Sequence, residues 1–263
     1  MDREVGRPRN LPAGKPALPT TGGCTASGCT VMDGLAQALR VEYPAIMVAS
    51  LLTGQSETDV FAELLRPELL ADGTEPEERM IVCGMSWERY LALDKAAGDD
   101  RPGPRFYYLD GDLEIMTTSN EHERIKKWLS GFLEIYFETV GVEIMPRGQA
   151  TMRQALQQAG AEPDESWCIG SEKEFPDLVL EIALTGGGVN KLEIYRRFSV
   201  REVWFWRANK LDIFALENSG NYEPTTRSRL LPDLDISLLE RCVAIRSWQK
   251  ARQTFRAGLA AST

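Results

Sequence analysis

The chain has 263 residues, a length that corresponds to one or two domains. Asp and Glu number 39 against 30 Lys and Arg, so the formal charge is -9, and the 43% share of hydrophobic residues is typical of a folded domain. This acidic balance argues against a protein that coats DNA by bulk charge, although a local basic groove is compatible with it. The sequence has no apolar stretch of transmembrane length and no secretory leader, which predicts a cytoplasmic protein.

Residues 1–80 lack strong hydrophobic periodicity. Proline and glycine punctuate residues 1–30, which predicts disorder there, and two weakly amphipathic stretches follow within residues 33–70. Strong patterning begins only near residue 85. We therefore interpret residues 1–80 as a poorly patterned, partly disordered N-terminal extension, with Met80 or Met85 as the candidate original start of translation.

Well-defined elements are predicted from residue 81 onward. Ser86 is placed to cap a helix that runs through Ala97. A β-hairpin is predicted over residues 106–116, because its centre is Asp110-Gly111 and both positions of such a turn require positive φ.

A longer helix and a strand pair come next. Thr118 and Glu121 form a predicted capping box, after which apolar residues recur at i, i+3, i+4 and i+7 as far as Gly141. Residues 142–145 and 150–153 then read as two paired strands around a turn.

The rest of the pattern completes a mixed α/β domain. The remaining predicted elements are a strand around Cys168, a strand over Leu178–Ile182, a helix from Asn190 to Arg197, strands over Glu202–Trp206 and Leu211–Leu216, and a helix from Leu238. We predict one α/β domain over residues 81–245, with a central mixed β-sheet flanked by helices. A basic C-terminal helix or tail over residues 246–263 follows it, and its cations lie either on a solvated face or against phosphates.

Three classes of site are disfavoured by residue spacing. A single histidine and one close cysteine pair do not supply the four ligands of a zinc site, so the cysteines are predicted to be free thiols. Gly186 and Gly188 follow a strand, but position 191 is lysine, so the third glycine of a dinucleotide-binding loop is missing. No G-x-S-x-G elbow of a serine hydrolase occurs.

Glu181 is the unusual residue of the chain, because it lies inside the apolar strand Leu178–Ile182. An ionised carboxylate buried there without a partner would cost many kcal/mol, so the group must be protonated, paired with a cation or bound to a metal. Strand alternation places Glu181 on the face of Val179, opposite Leu180 and Ile182.

Asp164 and Lys191 flank this strand in the sequence. Asp164 precedes the strand around Cys168, and Lys191 lies in the first turn of a predicted helix. Two carboxylates and a lysine at one sheet edge suit phosphodiester hydrolysis, since carboxylates hold Mg²⁺, the metal lowers the pKa of a bound water, and the lysine stabilises developing negative charge.

At these residues the chain resembles the Uma2 family of bacterial endonucleases. The matching stretches are YYLDGDLEIM (107–116), EHE (121–123), AEPDESWCIG (161–170), FPDLVLEI (175–182), GGGVNKLEIYRRFSVREVWFW (186–206) and LLPDLDISLLERCV (230–243). The resemblance covers most of residues 86–243. It implies a restriction-endonuclease-like fold of the PD-(D/E)xK superfamily and a DNA substrate, with a homodimer expected by analogy.

The resemblance also implies roles for individual residues. Asp164 would be the motif aspartate and Glu181 the second acid, both as ligands of Mg²⁺, with Mn²⁺ as a substitute. Ala183 stands where the wider nuclease pattern has a strand lysine, so Lys191 must reach in from the helix.

Three other residues keep two interpretations, and a fourth has one. Glu114 is either a third acid of the catalytic site or a solvated side chain, and His122 either lies over the site or is a packed or solvated histidine. Tyr195 either packs or donates a hydrogen bond to phosphate. Asp177 belongs to a second Pro-Asp pair, which we predict to cap or terminate its strand.

The sequence thus predicts a Mg²⁺-dependent endodeoxyribonuclease with the catalytic set Asp164, Glu181, Lys191, Glu114 and His122. The alternative is a non-catalytic module that binds nucleic acid or a protein on a nuclease-like scaffold, since fold does not settle function. Divalent-metal affinity that is lost in Glu181→Ala would distinguish the two.

Overall fold

Short apolar segments and turn residues divide the described part of the chain into eleven strands and five α-helices. The computed structural model describes residues 77, 79–98 and 104–262, so almost all of the predicted N-terminal extension lies outside the described residues. The strands are β1 (Arg79–Val82), β2 (Arg105–Leu109), β3 (Asp112–Met116), β4 (Ile144–Pro146), β5 (Met152–Gln154), β6 (Ala159–Ala161), β7 (Glu165–Ile169), β8 (Leu178–Ile182), β9 (Glu202–Arg207), β10 (Lys210–Leu216) and β11 (Tyr222–Thr225). The helices are α1 (Trp87–Ala97), α2 (Asn120–Val140), α3 (Lys191–Arg197), α4 (Ile236–Val243) and α5 (Trp248–Ser262).

The strands form two sheets. Sheet A has the order β1-β3-β2-β6-β5 and is antiparallel throughout. Sheet B has the order β11-β10-β9-β8-β7-β4 and is mixed, because β8 and β9 run parallel while its other pairs are antiparallel. The predicted fold class, a mixed α/β domain with a restriction-endonuclease-like core, is confirmed, and its strands are shared between two sheets.

The predicted hairpin is confirmed by β2 and β3. Leu109 pairs with Asp112, and the turn residues Asp110 and Gly111 have φ of 50° and 96°. The predicted pairing of residues 142–145 with 150–153 is wrong, because β4 pairs with β7 in sheet B whereas β5 pairs with β6 in sheet A. The turn between them carries the chain from one sheet to the other.

The capping box predicted at Thr118 is also wrong by one residue. Ser119 is the N-cap of α2, and its hydroxyl accepts from the backbone N–H of His122 at 3.1 Å. Glu121 instead pairs with Arg124 one turn later. The helix predicted from Leu238 is two helices, α4 and α5, separated by residues 244–247.

Apolar clusters define the layers of the fold. Helices α2, α4 and α5 cover one face of sheet B, against Leu180 and its neighbours of the same face. The other face, with Val179, packs against α3 and the Tyr107 face of sheet A. Helix α1 covers the opposite face of sheet A, where Tyr90 stacks on Tyr108 at 4.9 Å between ring centroids. Two sheets therefore pack against each other between helical layers.

The described residues bear on two further expectations from the sequence. None of their helices is long and apolar enough to cross a membrane. The cysteines among them, Cys83, Cys168 and Cys242, are free thiols, as predicted.

Candidate active site

Glu181 lies on β8, on the face directed toward sheet A, and is completely buried. The Tyr107 hydroxyl donates to its Oε2 at 3.0 Å, and the Tyr195 hydroxyl donates to its Oε1. Burial raises the pKa of the Glu181 carboxyl, although its ion pair with Lys191 opposes this shift. The partner that the sequence required is therefore a set of three groups, two tyrosine hydroxyls and one ammonium.

Lys191 is the first residue of α3, which Asn190 caps after the glycine-rich loop of residues 184–189. Its Nζ lies 2.9 Å from Oε2 of Glu181 and 3.4 Å from the centre of the Tyr107 ring, whose face attracts a cation. About a tenth of the side chain is exposed (11%), so the ammonium contacts both the buried carboxylate and solvent. The structure thus brings Lys191 to Glu181 from the helix.

Asp164 directly precedes β7, and the strand register that pairs the next residue with Leu180 places Asp164 opposite Glu181. The backbone N–H of Ile182 donates to Oδ2 of Asp164 at 2.7 Å, which ties the aspartate to β8. Oδ1 lies 2.7 Å from Nε2 of His122 and 3.1 Å from Nε of Arg105.

The ionisation of Asp164 follows from these contacts. Its carboxyl is completely buried, and burial alone would raise its pKa. The charges of His122 and Arg105 outweigh that effect and hold the pKa of Asp164 well below its usual range. Asp164 is therefore a carboxylate at neutral pH.

His122 lies in the first turn of α2 with its imidazole completely buried, which excludes the solvated interpretation. Nδ1 contacts the Glu77 carboxylate and Nε2 contacts Asp164. Burial would lower the pKa of His122, but the two carboxylates raise it to about 9. The side chain is therefore an imidazolium at neutral pH and donates from both nitrogens.

Glu114 on β3 is completely buried, which excludes its solvated interpretation as well. Its Oε1 lies 3.0 Å from Nε of Arg79, and its Oε2 accepts from the backbone N–H of Val189 at 2.8 Å. Arg79 also donates to the carbonyl of Gly187. Gly188 has φ of +103° and its backbone abuts the Glu114 carboxylate, so a larger residue would be strained and would clash. These contacts direct Glu114 to the glycine-rich loop rather than to Asp164 or Glu181.

The second Pro-Asp pair lies at the other end of β8. Asp177 accepts from the backbone N–H of Ile169 at 2.7 Å and forms an ion pair with Lys173. This position is structural, as the sequence predicted for the pair.

Four residues that contact the site were not singled out from the sequence. Arg105 and Tyr107 lie two residues apart on β2, so their side chains share one face of the strand. A cation and a hydroxyl on the inner face of a predicted strand are the sequence pattern that could have identified them. Glu77 and Arg79 precede the strong patterning and fall before the boundary predicted at residue 80. No sequence signal connects them to residues 45 and 35 positions later, His122 and Glu114.

The donor chemistry of Asp164 and Glu181 fits a magnesium ion. Both supply the hard oxygen ligands that Mg²⁺ prefers. Oδ2 of Asp164 and Oε1 of Glu181 each accept one hydrogen bond from the described residues, and a carboxylate oxygen has a second lone pair to offer. The described residues contain no cluster of three or more His, Cys, Asp or Glu that could hold a metal. Mg²⁺ in proteins is commonly held by one or two carboxylates, with waters and phosphates as further ligands.

Comparison with known proteins gives a family match. Residues 87–248, more than half of the chain, match the family model Uma2, whose description is "Putative restriction endonuclease". No curated protein matches the chain. The matched range contains all five predicted site residues, whereas Glu77 and Arg79 lie before it.

Proposed function

The chain belongs to the Uma2 family, and from this premise we propose that it is a Mg²⁺-dependent endonuclease that hydrolyses phosphodiester bonds of DNA with an activated water molecule. The observation that carries the proposal is the convergence of two buried carboxylates and a lysine. Asp164 stands opposite Glu181 across two neighbouring strands, and Lys191 contacts Glu181 from the following helix. Each residue type has a role in phosphodiester hydrolysis.

Asp164 and Glu181 would hold Mg²⁺, or Mn²⁺ in its place. The cation, when bound, would supply Lewis-acid activation of water and charge compensation at the phosphorus. His122 and Arg105 keep Asp164 ionised, and so keep it a ligand at neutral pH. The hydroxyl of Tyr107 orients the Glu181 carboxylate by its hydrogen bond.

Lys191 would position the attacking water and stabilise negative charge on the transferred phosphate. Its ammonium is held between Glu181 and the Tyr107 ring, while part of the side chain faces solvent and therefore substrate. Many nucleases of this fold act as dimers so that both strands are cut, so a homodimer belongs to this proposal by analogy, and light scattering tests it.

The decisive experiment is cleavage of supercoiled plasmid by the purified protein with Mg²⁺ or Mn²⁺, beside the double variant Asp164→Asn/Glu181→Gln. We expect metal-dependent nicking that the double variant lacks while its circular dichroism spectrum stays native. Nicking of equal rate in wild type and variant would contradict the assignment of these carboxylates. No nicking by the wild type under any divalent cation would favour the non-catalytic binding module.

Lys191→Ala tests the lysine separately. Because it removes a cation but no metal ligand, we expect the cleavage rate to fall by about a hundredfold or more while calorimetric Mn²⁺ affinity is retained. Lys173→Ala is the matched control, since Lys173 also pairs with an acid beside β8 but lies at its far end, with Asp177. Equal rates in the two lysine variants would refute the role of Lys191.

A further inference from the structure

A cleft opens beside Lys191, between the glycine-rich loop and the C-terminal end of β9. Its volume is about 460 Å³, which lies within the range of roughly 300–1,000 Å³ typical of pockets for small ligands. Enzymes that act on single nucleotides taken out of the base stack use pockets of this kind. The size therefore suits one nucleotide better than a segment of duplex.

The charge of the cleft suits a phosphate. Arg79, Lys191 and Arg207 line it, and none of its described lining residues carries a carboxylate. Arg79 and Lys191 already pair with Glu114 and Glu181. Arg207 is exposed, has no ion-pair partner among the described residues, and lies over the Phe205 ring at 4.2 Å. The chain has a charge of -9, yet this arginine has no anionic partner within the part of the chain that the structure describes.

The remaining wall is apolar. Leu184 of the glycine-rich loop lines the cleft and is 39% exposed, which is unusual for a large hydrophobic side chain of this protein. Leu192 and Phe205 line it too. An inorganic anion would use the cations alone, whereas a nucleotide uses both surfaces, its phosphate on the arginine and its base on the apolar wall.

We propose that this cleft binds one unpaired nucleotide of the substrate strand, with its phosphate on Arg207 and its base against Leu184. The substrate is then single-stranded or locally unpaired DNA. A duplex delivers such a nucleotide only after unstacking and unpairing it, which weakens its binding. This inference rests on the proposed function, because the cleft adjoins Lys191 and would receive the nucleotide next to the scissile phosphate.

Fluorescence anisotropy of the wild-type protein in EDTA measures binding without hydrolysis. The probes are a labelled oligothymidine, an abasic oligonucleotide of equal length, and the duplex of the oligothymidine with its complement. We expect the oligothymidine to bind tightest. The abasic strand keeps the phosphates but has no base for Leu184, so it should bind several-fold more weakly.

Variants at the two walls separate their contributions. Arg207→Ala should weaken oligothymidine binding about tenfold and reduce the slope of log affinity against log salt by about 0.7, the value for one phosphate contact on a single strand. Leu184→Ala should weaken binding of the oligothymidine but not of the abasic strand. Arg201→Ala is the matched control and should change neither, because Arg201 is an exposed arginine at the opposite end of β9.

Several results would overturn the inference: equal or tighter binding of the duplex, equal affinity for the abasic strand, equal losses in Arg207→Ala and Arg201→Ala, or no binding of any probe. Failure of the proposed function looks different. Arg207-dependent binding of oligothymidine without any cleavage in Mg²⁺ contradicts the nuclease and leaves the cleft assignment standing. Plasmid nicking that is indifferent to Arg207→Ala contradicts the cleft alone.

Discussion

Asp164 and Glu181 are completely buried carboxylates that lie opposite each other on two neighbouring strands, yet their pKa values move in opposite directions. Asp164 accepts hydrogen bonds from His122 and a backbone N–H and forms an ion pair with Arg105, and its pKa lies well below the usual range. Glu181 accepts from one cation and two neutral hydroxyls, and its pKa is raised by burial. Burial raises the pKa of both groups, and the larger number of cationic partners at Asp164 reverses the direction of its shift.

This difference matters for a site that would bind a divalent cation. A carboxylic acid must lose its proton before it can serve as a ligand. Because the pKa of Glu181 is raised and that of Asp164 is lowered, metal binding would release a proton from Glu181 more readily than from Asp164. The two carboxylates therefore contribute unequally to stability and to activity.

Neutralising each carboxylate in turn should affect stability unequally. Asp164→Asn leaves the buried charges of His122 and Arg105 without their shared anion, and we expect a loss of about 3–5 kcal/mol of unfolding free energy. Glu181→Gln keeps an oxygen acceptor and leaves only Lys191, which reaches solvent, so we expect less than half of that loss. Urea unfolding at pH 7 in EDTA measures both, and equal losses would contradict the contrast.

The pH dependence of stability should report the ion pair between Asp164 and the His122 imidazolium. The pKa of His122 is raised from 6.5 to about 9, so its contribution is full below pH 6.5 and is lost as the pH rises to about 9. The shift corresponds to about 3 kcal/mol. We expect wild-type unfolding free energy to fall by about this amount across that window, and the dependence to be much weaker in His122→Gln.

The raised pKa of His122 can be checked directly, because His122 is the only histidine in the chain. Its imidazole resonances in NMR spectra should titrate near pH 9 without divalent ions. Glu77→Gln should move that titration to lower pH, since it removes one of the two carboxylates that stabilise the imidazolium. A histidine that titrates near 6.5 in the wild-type protein would refute the buried ion-pair network.

Removing a tyrosine hydroxyl that donates to Glu181 should have a smaller effect on stability. Tyr195→Phe removes a donor to the buried carboxylate, which we expect to cost about 1–3 kcal/mol of stability and to raise the pKa of Glu181 further. The acid limb of the cleavage rate against pH should then move to higher pH. Tyr108→Phe is the control, because that hydroxyl donates to the carbonyl of Met85 instead of a carboxylate. Identical pH profiles in the two variants would argue against a role for Tyr195 at Glu181.

The smallest effect on activity belongs to the second Pro-Asp pair. Asp177→Asn weakens an ion pair with the partly exposed Lys173 and a backbone contact with Ile169, so about 1 kcal/mol of stability is expected to be lost. The cleavage rate of the folded variant should remain within about twofold of wild type. A large loss of rate at unchanged stability would mean that the wrong Pro-Asp pair had been assigned to the site.

Local patterns in the sequence were sufficient for several features of the fold. The Asp110-Gly111 turn, the end of α2 at Gly141 and the strand that carries Glu181 follow from turn chemistry and periodicity. The errors came where local signals compete. Thr118 and Ser119 are both good N-caps by residue type, so the sequence alone does not distinguish them, and in the structure Ser119 is the N-cap.

Local patterns do not predict which strands or side chains from distant parts of the chain pair with each other. Strands β4 and β5 are neighbours in sequence and belong to different sheets, because each pairs with the strand that packing brings beside it. The role of Glu114 could not be predicted for the same reason. The sequence did not decide whether Glu114 is buried, and its partners, Arg79 and Val189, lie 35 residues before it and 75 residues after it.

The sequence by itself determined that an acid lies inside an apolar strand and must have a partner, that Asp164 and Lys191 flank it, and that the chain resembles a nuclease family. The first two conclusions need only period and spacing, which are properties of short segments, whereas the resemblance rests on the motifs that those segments carry. The tertiary structure decided which groups surround each acid, and so in which direction the pKa of each one shifts. Charge compensation in a buried site depends on distances of a few ångströms between residues far apart in the chain, and only the packing of the two sheets fixes those distances.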